Sequence, residues 1–206
     1  MTRPPFPFLS QTTPRCPQSL LDRAGALPAP RVALVNAGAE HPLEGIREAA
    51  DLGLADPILI GDRDKIIATA ATIGWDISGI RLVHAPKETA GIEAARMARM
   101  GEADAIMKGQ VHTDVFLRAL LPSAAGLRDR ATRCGHVFHI TAPGSDRPLL
   151  LTDAALNVNP DVATRQACLT HAVALAELLG VDRPKAGLLA PTEDPIASIP
   201  NTGEAA

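Results

Sequence analysis

From Arg31 to Leu121 the chain alternates between short apolar runs and stretches of helical periodicity, and this alternation restricts the fold more than any other feature. RVALVNA, PILIG, IRLVHA and ADAIMKG read as strands. LEGIREAADLG, DRDKIIATAATIG, GIEAARMARMG and TDVFLRALL, which fall between or after them, read as helices. Repeated βα units of this length pack as a mainly parallel sheet with helices on its faces, so an α/β fold is expected.

Seven prolines within residues 1–30 (Pro4, Pro5, Pro7, Pro14, Pro17, Pro28 and Pro30) oppose regular structure there, apart from a helical turn near Ser19–Ala24. Residues 1–29 therefore read as a tail, 30–122 as a first αβα domain and 123–206 as part of a second. Beyond Pro122 the rhythm loosens. HVFHITAP and RPLLLTD are strand-like and separated by PGSD, a turn cluster suited to an antiparallel pair. A helix is expected from Pro160 to Leu179, followed by a last strand, KAGLLAP.

Composition removes whole classes of function. With no Tyr, one Trp and four Phe, the chain has few rings on which bases stack, and a net charge of −3 offers a phosphate backbone no attraction. No nucleic-acid partner is expected. Cys16, Cys134 and Cys168 have no CxxC spacing, and three thiols leave one over from any disulfide, which fits a reducing compartment. The start MTRPPFPFLSQ lacks a continuous apolar core, and no run approaches the roughly 18 apolar residues of a span, so a cytoplasmic protein without membrane contact is expected.

An open α/β sheet binds ligands beyond the carboxyl ends of its strands. The segment from Ala103 to Asp161 supplies two such places. In ADAIMKGQVHTD, Lys108 and Gly109 end a strand and Thr113 begins a helix. Gly109 admits close backbone approach, the helix start and Lys108 attract an anion, and His112 is placed to donate to a phosphate or carbonyl oxygen. The structural alternative makes Thr113 an N-cap, Gly109 a turn residue and Lys108 a solvated strand end. In LLLTDAALNVNPD, Asn159 at the N-cap, Pro160 at N1 and Asp161 in the first turn explain themselves as a helix start. Asp153 and Asn157 have no such duty, so they stand out as ligand contacts.

Arg128, Arg130 and Arg133 in GLRDRATRCG suit phosphate, although a solvated charge run is the commoner explanation. A P-loop and a GxGxxG after the first strand are both lacking. His136 and His139, three apart in a strand, point to opposite faces and so disfavour a shared metal; no metal site is expected. Cys134 reads as a buried structural thiol rather than a nucleophile.

The residues LLDRAGALPAPRVALVNA, EGIREAADLGLADPILIGDRDKI, ADAIMKGQVHTD, LTDAALNVNPD, LGVDRPKAGLLAPTE and SIPNTGEAA, in this order from about Leu20 to Ala206, resemble the phosphate acetyl/butyryl transferases. Within that family the similarity is to the transferase domain of the enoyl-CoA hydratase/phosphate acetyltransferase type. The resemblance implies a three-layer αβα fold in two domains, like isocitrate and isopropylmalate dehydrogenases, and a homodimer. It implies a reaction in which acyl-CoA and inorganic phosphate give acyl phosphate and CoA, with CoA a substrate and no resident cofactor. On the matching positions, Lys108, Gly109, His112 and Thr113 line the phosphate or acyl end, and Asp153, Asn157 and Asn159 face them; Arg128 and Arg133 stay substrate-contact candidates on their guanidinium chemistry alone. Family members continue beyond the position matching Ala206, and their proposed catalytic serine, arginine and aspartate lie in that further portion. The resemblance therefore implies an incomplete second domain, a sheet edge left open, and an interrupted transferase that turns over poorly alone. The rival expectation is a non-catalytic member that binds CoA or associates with a longer relative.

Overall fold

A computed structural model of the chain describes residues 16–129, 131–141, 148–190, 192, 194–198 and 202–203. Arg130, the PGSD cluster and the first four prolines lie outside the described residues. The chain divides into two compact units, one formed by Gln18–Thr132 and the other by Arg133–Ala206 together with Met1–Pro17.

In the unit from Gln18 to Thr132, α1 (Gln18–Gly25) precedes the alternation β1 (Arg31–Val35), α2 (Glu40–Asp51), β2 (Asp56–Gly61), α3 (Arg63–Thr72), β3 (Arg81–His84), α4 (Ala90–Arg99), β4 (Ala105–Lys108) and α5 (Thr113–Leu120). The strands form one sheet in the order β3-β2-β1-β4, and every pairing is parallel. The fold is the α/β arrangement that the alternation demands.

Strand side chains alternate between faces, and β1 and β2 are apolar on both, as strands covered on two sides must be. Ala33, Val35, Ile58 and Ile60 face one way, against Ala90, Ala94 and Met97 of α4 and the half-buried Phe116 of α5. Leu34 and Leu59 face the other way, against Leu43 and Ile46 of α2 and Ile66 and Ala70 of α3, with Trp75 at the margin. Two helices thus cover each face, and three layers result.

The order β3-β2-β1-β4 also fixes where a ligand fits. From β1 the chain winds outward through β2 to β3, then crosses back to set β4 on the other side of β1. The loops after β1 and β4 consequently leave the sheet toward opposite faces, and the crevice between such loops is where open α/β sheets hold ligands.

In the unit from Arg133 onward, β5 (Phe138–Thr141) pairs antiparallel with β6 (Pro148–Leu151), with Phe138 opposite Leu151 and Thr141 opposite Pro148. The helix α6 (Val162–Leu178) follows and buries Thr164, Cys168, Ala172 and Ala176, a stripe spaced by one turn.

Three expectations need correction here. The helix start is shifted: Asp161, not Asn159, is the N-cap of α6, its carboxylate accepting from Thr164 N–H at 2.8 Å, and Pro160 precedes the helix. Asn159 instead takes a left-handed backbone (φ 47°), which asparagine tolerates better than most residues. KAGLLAP is not a strand within the described residues, because no ladder pairs with it and Leu188 and Leu189 are exposed. His136 lies before β5 rather than in it, so strand alternation does not relate it to His139.

Candidate functional site

The carboxyl end of β4 is fastened to that of β1. Lys108 is in register with Val35, Gly109 N–H donates to Val35 O at 2.9 Å, and Gln110 N–H reaches Asn36 O at 3.4 Å. Only glycine permits this, since a Cβ on residue 109 would lie 2.3 Å from Val35 O and 2.8 Å from Asn36 O. Close approach is therefore what residue 109 supplies. The Lys108 ammonium folds back to donate to Val111 O at 2.8 Å, so it braces its own loop as well as carrying charge into it.

His112 rather than Thr113 is the N-cap of α5, and its side chain gives no acceptor to the first turn; Thr113 is the first helical residue. The cap alternative for Thr113 is thereby corrected. Asp114, in that first turn, pairs with Arg118. Burial alone would raise the Asp114 carboxyl, but donation by Val115 N–H and the Arg118 guanidinium outweigh it and hold the group below the ordinary carboxylate value. The start of α5 is thus shared between its own carboxylate and whatever binds from outside.

The start of α3 differs sharply. Asp62 caps it, accepting from Asp64 N–H at 3.1 Å and Lys65 N–H at 3.2 Å, while His84 Nδ1 accepts from Arg63 N–H at 3.4 Å. Its donors are satisfied from within the protein.

Two adjoining crevices open over these strand ends. One, of about 430 Å³, is lined by Asn36, Gly38, Asp62, Lys65, Gln110 and the run His84–Lys87. The other, of about 540 Å³, is lined by Lys87 and the run Lys108–His112. Asn36 has a left-handed backbone (φ 54°), and its side-chain amide donates to Lys87 O at 3.3 Å, which ties the loop after β1 to the loop after β3. Sequence reasoning found Lys108, Gly109 and His112 but missed Asn36, Asp62, Lys65, His84, Lys87 and Gln110. The signal was present: NAG, GDRDK and HAPK all follow strands that end at the same edge of the sheet as MKG.

In the unit from Arg133, Asp153 is half-buried and organises its loop. Its carboxylate accepts from His136 N–H at 3.0 Å, Asn157 N–H at 2.7 Å, Leu156 N–H at 3.4 Å and the Asn157 side-chain amide. Burial pushes the carboxyl up, but these donors, the Asn157 amide foremost, bring it below its ordinary value. Asn157 also donates to Cys134 O at 2.9 Å. The expectation that Asp153 and Asn157 lack a structural duty is corrected: together they hold the turn that separates β6 from α6. Among the described residues, the buried atoms His136 Nδ1 and Thr152 Oγ1 have no hydrogen-bond partner.

Arg128 is committed locally, with Nε donating to Leu121 O at 2.5 Å and Nη1 to Thr132 O at 3.0 Å. Arg133 lies 3.8 Å from the Asp161 carboxylate, a loose ion pair. Arg130 falls outside the described residues. The buried thiol is Cys168 rather than the half-buried Cys134, which corrects that assignment. Among the described residues no group of three or more His, Cys, Asp or Glu is arranged to hold a metal ion, and no helix is long and apolar enough to cross a membrane.

Comparison with known proteins bears on this geometry. A family model described as phosphate acetyl/butaryl transferase matches residues 86–202. The phosphate butyryltransferase of Clostridium acetobutylicum is 35% identical over 177 residues, 85% of this chain and 58% of the relative. The phosphate acetyltransferase of Rhizobium meliloti is 36% identical over 168 residues, 81% of this chain and 53% of the relative. The chain thus spans between 53% and 58% of the length of these relatives. Among solved structures, a phosphotransacetylase from Streptococcus pyogenes superposes with a TM-score of 0.74 at 15% identity, covering 93% of this chain and 68% of the other. A branched-chain phosphotransacylase from Enterococcus faecalis gives a TM-score of 0.65 at 22% identity, covering 85% and 61%.

Proposed function

The chain belongs to the phosphate acetyl/butyryl transferase family, and from this premise we propose that it serves acyl transfer between coenzyme A and inorganic phosphate. A phosphate oxygen attacks the thioester carbonyl carbon, the C–S bond breaks, and the sulfur leaves as CoA thiol after gaining a proton; acyl phosphate is the other product. Such a step needs phosphate held in line with the carbonyl, donors for the tetrahedral oxyanion, and exclusion of competing water.

One observation carries the reading: the Lys108–Gly109 loop is pinned to β1 where the strand order changes its direction of winding, beside a crevice of ligand size. Lys108, His112 and Thr113 hold the phosphate or acyl end, and Gly109 admits it close to the backbone. By their chemistry Asp153, Asn157 and Asn159, in a turn held by the Asp153 carboxylate, and Arg128 and Arg133 are also read as substrate contacts. In this reading the protein works as a cytoplasmic homodimer of two-domain subunits with no resident cofactor.

A second reading, a CoA-binding or dimerising member without turnover, is favoured by one feature of the crevices. Among the described residues that line them, Asp62 serves as a helix cap and Lys108 as a loop brace, so these groups hold structure rather than move protons. Phosphate-dependent release of CoA from acetyl-CoA and butyryl-CoA, combined with calorimetric titration of CoA and phosphate, decides between the two. Turnover that falls about tenfold or more in Lys108→Ala supports the transferase. Binding of CoA and phosphate without turnover supports the second reading. Absence of both binding and turnover refutes the site.

A further inference from the structure

Away from the strand ends, the outer surface of the α4–α5 layer holds a cavity of about 690 Å³. Ile92, Ala95 and Arg99 of α4 line one side and Val115 and Ala119 of α5 the other, with the turn from Pro122 to Ala125 completing the wall. Each set falls at spacings of three and four, so each is one stripe of its helix. The two helices meet most closely at Gly91, where a Cβ would lie 2.9 Å from Ala119 Cβ, and this low floor leaves a groove between the larger side chains. Ile92 is 59% exposed and Val115 38%, so apolar surface stands in water there.

Three guanidinium groups line the groove, and two are spent. Arg96 donates to Glu93 through Nε at 3.0 Å and Nη2 at 2.8 Å, and to Glu102 through Nη1 at 2.9 Å. Arg118 is turned onto Asp114, whose carboxylate and carbonyl both accept from it. Arg99 is different. No hydrogen bond or ion pair among the described residues engages its guanidinium, yet its stem is seated, because a Cβ on Gly126 would lie 2.6 Å from Arg99 Cδ. A seated stem carrying an open N–H fork is preorganised for a carboxylate.

The charge and the dimensions narrow the ligand. Glu93 is neutralised by Arg96, and Glu88 stands beyond the opposite end of α4, about 15 Å away along the helix, so the Arg99 end offers one uncompensated positive charge. That suits a singly charged head better than a phosphate dianion. From Arg99 back to Ile92 is about 10 Å of helix, the reach of a tail of roughly eight carbons. Because α4 runs from the carboxyl end of β3 to the amino end of β4, Arg99 lies at the edge of the sheet opposite the Lys108 loop.

We propose that this groove binds a small monocarboxylate with an apolar tail, its head on Arg99 and its tail between α4 and α5 against Ile92 and Val115. The site is separate from the strand-end crevices and stands whether or not the transferase reading does.

The test titrates octanoate, butyrate, octan-1-ol and inorganic phosphate calorimetrically into the wild-type chain and into Arg99→Ala, Arg99→Lys, Arg118→Ala and Ile92→Ser. Circular dichroism confirms that each variant is folded. The expected result is saturable octanoate binding at one per chain, tighter than butyrate, and weakened about tenfold or more in Arg99→Ala but less than threefold in Arg118→Ala. Arg99→Lys recovers only part of the loss, because an ammonium lacks the fork. Ile92→Ser weakens octanoate more than butyrate. The proposal is overturned if octanoate fails to saturate, if it binds wild type and Arg99→Ala equally, or if octan-1-ol binds as tightly. Displacement of octanoate by phosphate or CoA would move it to the strand-end crevices and also overturn the proposal. Self-association that Ile92→Ser abolishes, with no octanoate bound, would assign the groove to a second copy of the chain instead.

Discussion

Substituting Gly109 by alanine tests whether the candidate loop is positioned by backbone contact with β1. The new Cβ would start 2.3 Å from Val35 O, and contacts of this kind require at least about 3.0 Å, so the ends of β4 and β1 must part by about 0.7 Å. That displacement stretches the Gly109 N–H···Val35 O bond, now 2.9 Å, and loses the weaker Gln110 N–H···Asn36 O bond, now 3.4 Å. Overpacking costs about 1–3 kcal/mol and each strained backbone bond up to about 1 kcal/mol, while the stiffer unfolded chain returns about 0.4–1 kcal/mol. The net expectation is a destabilisation of about 2–4 kcal/mol, which for a unit of this size lowers Tm by about 8–16 °C. Urea denaturation followed by fluorescence measures it, because the single tryptophan, Trp75, is half-buried against the core of this unit. Gly79→Ala is the control: nothing lies within 4 Å of its Cβ position, and the change should stay within about 0.5 kcal/mol. If Gly109→Ala melts with the control, the contact is not what sets the loop.

Gly91→Ala should cost about 1–3 kcal/mol in the same assay, because its Cβ would meet Ala119 Cβ at 2.9 Å and force α4 from α5. Asp153→Asn should destabilise at neutral pH. Because the Asp153 carboxyl is depressed in the folded state, its contribution is full above its ordinary value of 3.8 and drains as pH falls through the lower folded value, so the gap between variant and wild type should close in acid; a gap independent of pH below 4 would refute the role given to its donors. Toward iodoacetamide at about pH 8, Cys16 should react first and Cys168 last, since Cys168 is buried and its thiol is raised by burial and by the Asp153 charge. Mass spectrometry of the labelled peptides reads the order directly.

Much of the unit from Gln18 to Thr132 was legible because its pattern is local. Runs such as VALV and ILIG are apolar at consecutive positions, which only a strand buried on both faces tolerates, and the helices between them carry their own periodicity. The Lys108–Gly109 loop was legible for the same reason, as a strand end followed by a helix start. The rest depended on contacts between distant positions. Nothing near Lys87 announces that Asn36, 51 residues earlier, will hold its carbonyl, or that the loops after three strands will meet at one edge. Asp153 misled for a related reason. A cap announces itself two or three residues away, whereas the Asp153 carboxylate serves His136, 17 residues back, so its duty in the fold is invisible in sequence. KAGLLAP shows the limit of composition: an apolar run becomes a strand only when a neighbour supplies its hydrogen bonds.

Alternation along β1 makes its one backbone the shared wall of two apolar layers, with Leu34 serving α2 and α3 and Ala33 and Val35 serving α4 and α5. Substitutions in the two layers are separated by the thickness of the sheet, and effects at such distance combine nearly additively. The α2–α3 layer can therefore be repacked for thermal resistance while the α4–α5 layer, which carries the Lys108 loop, keeps its geometry. Robustness and ligand preference in this unit are separately adjustable, and a lineage or a protein engineer changing one need not pass through loss of the other.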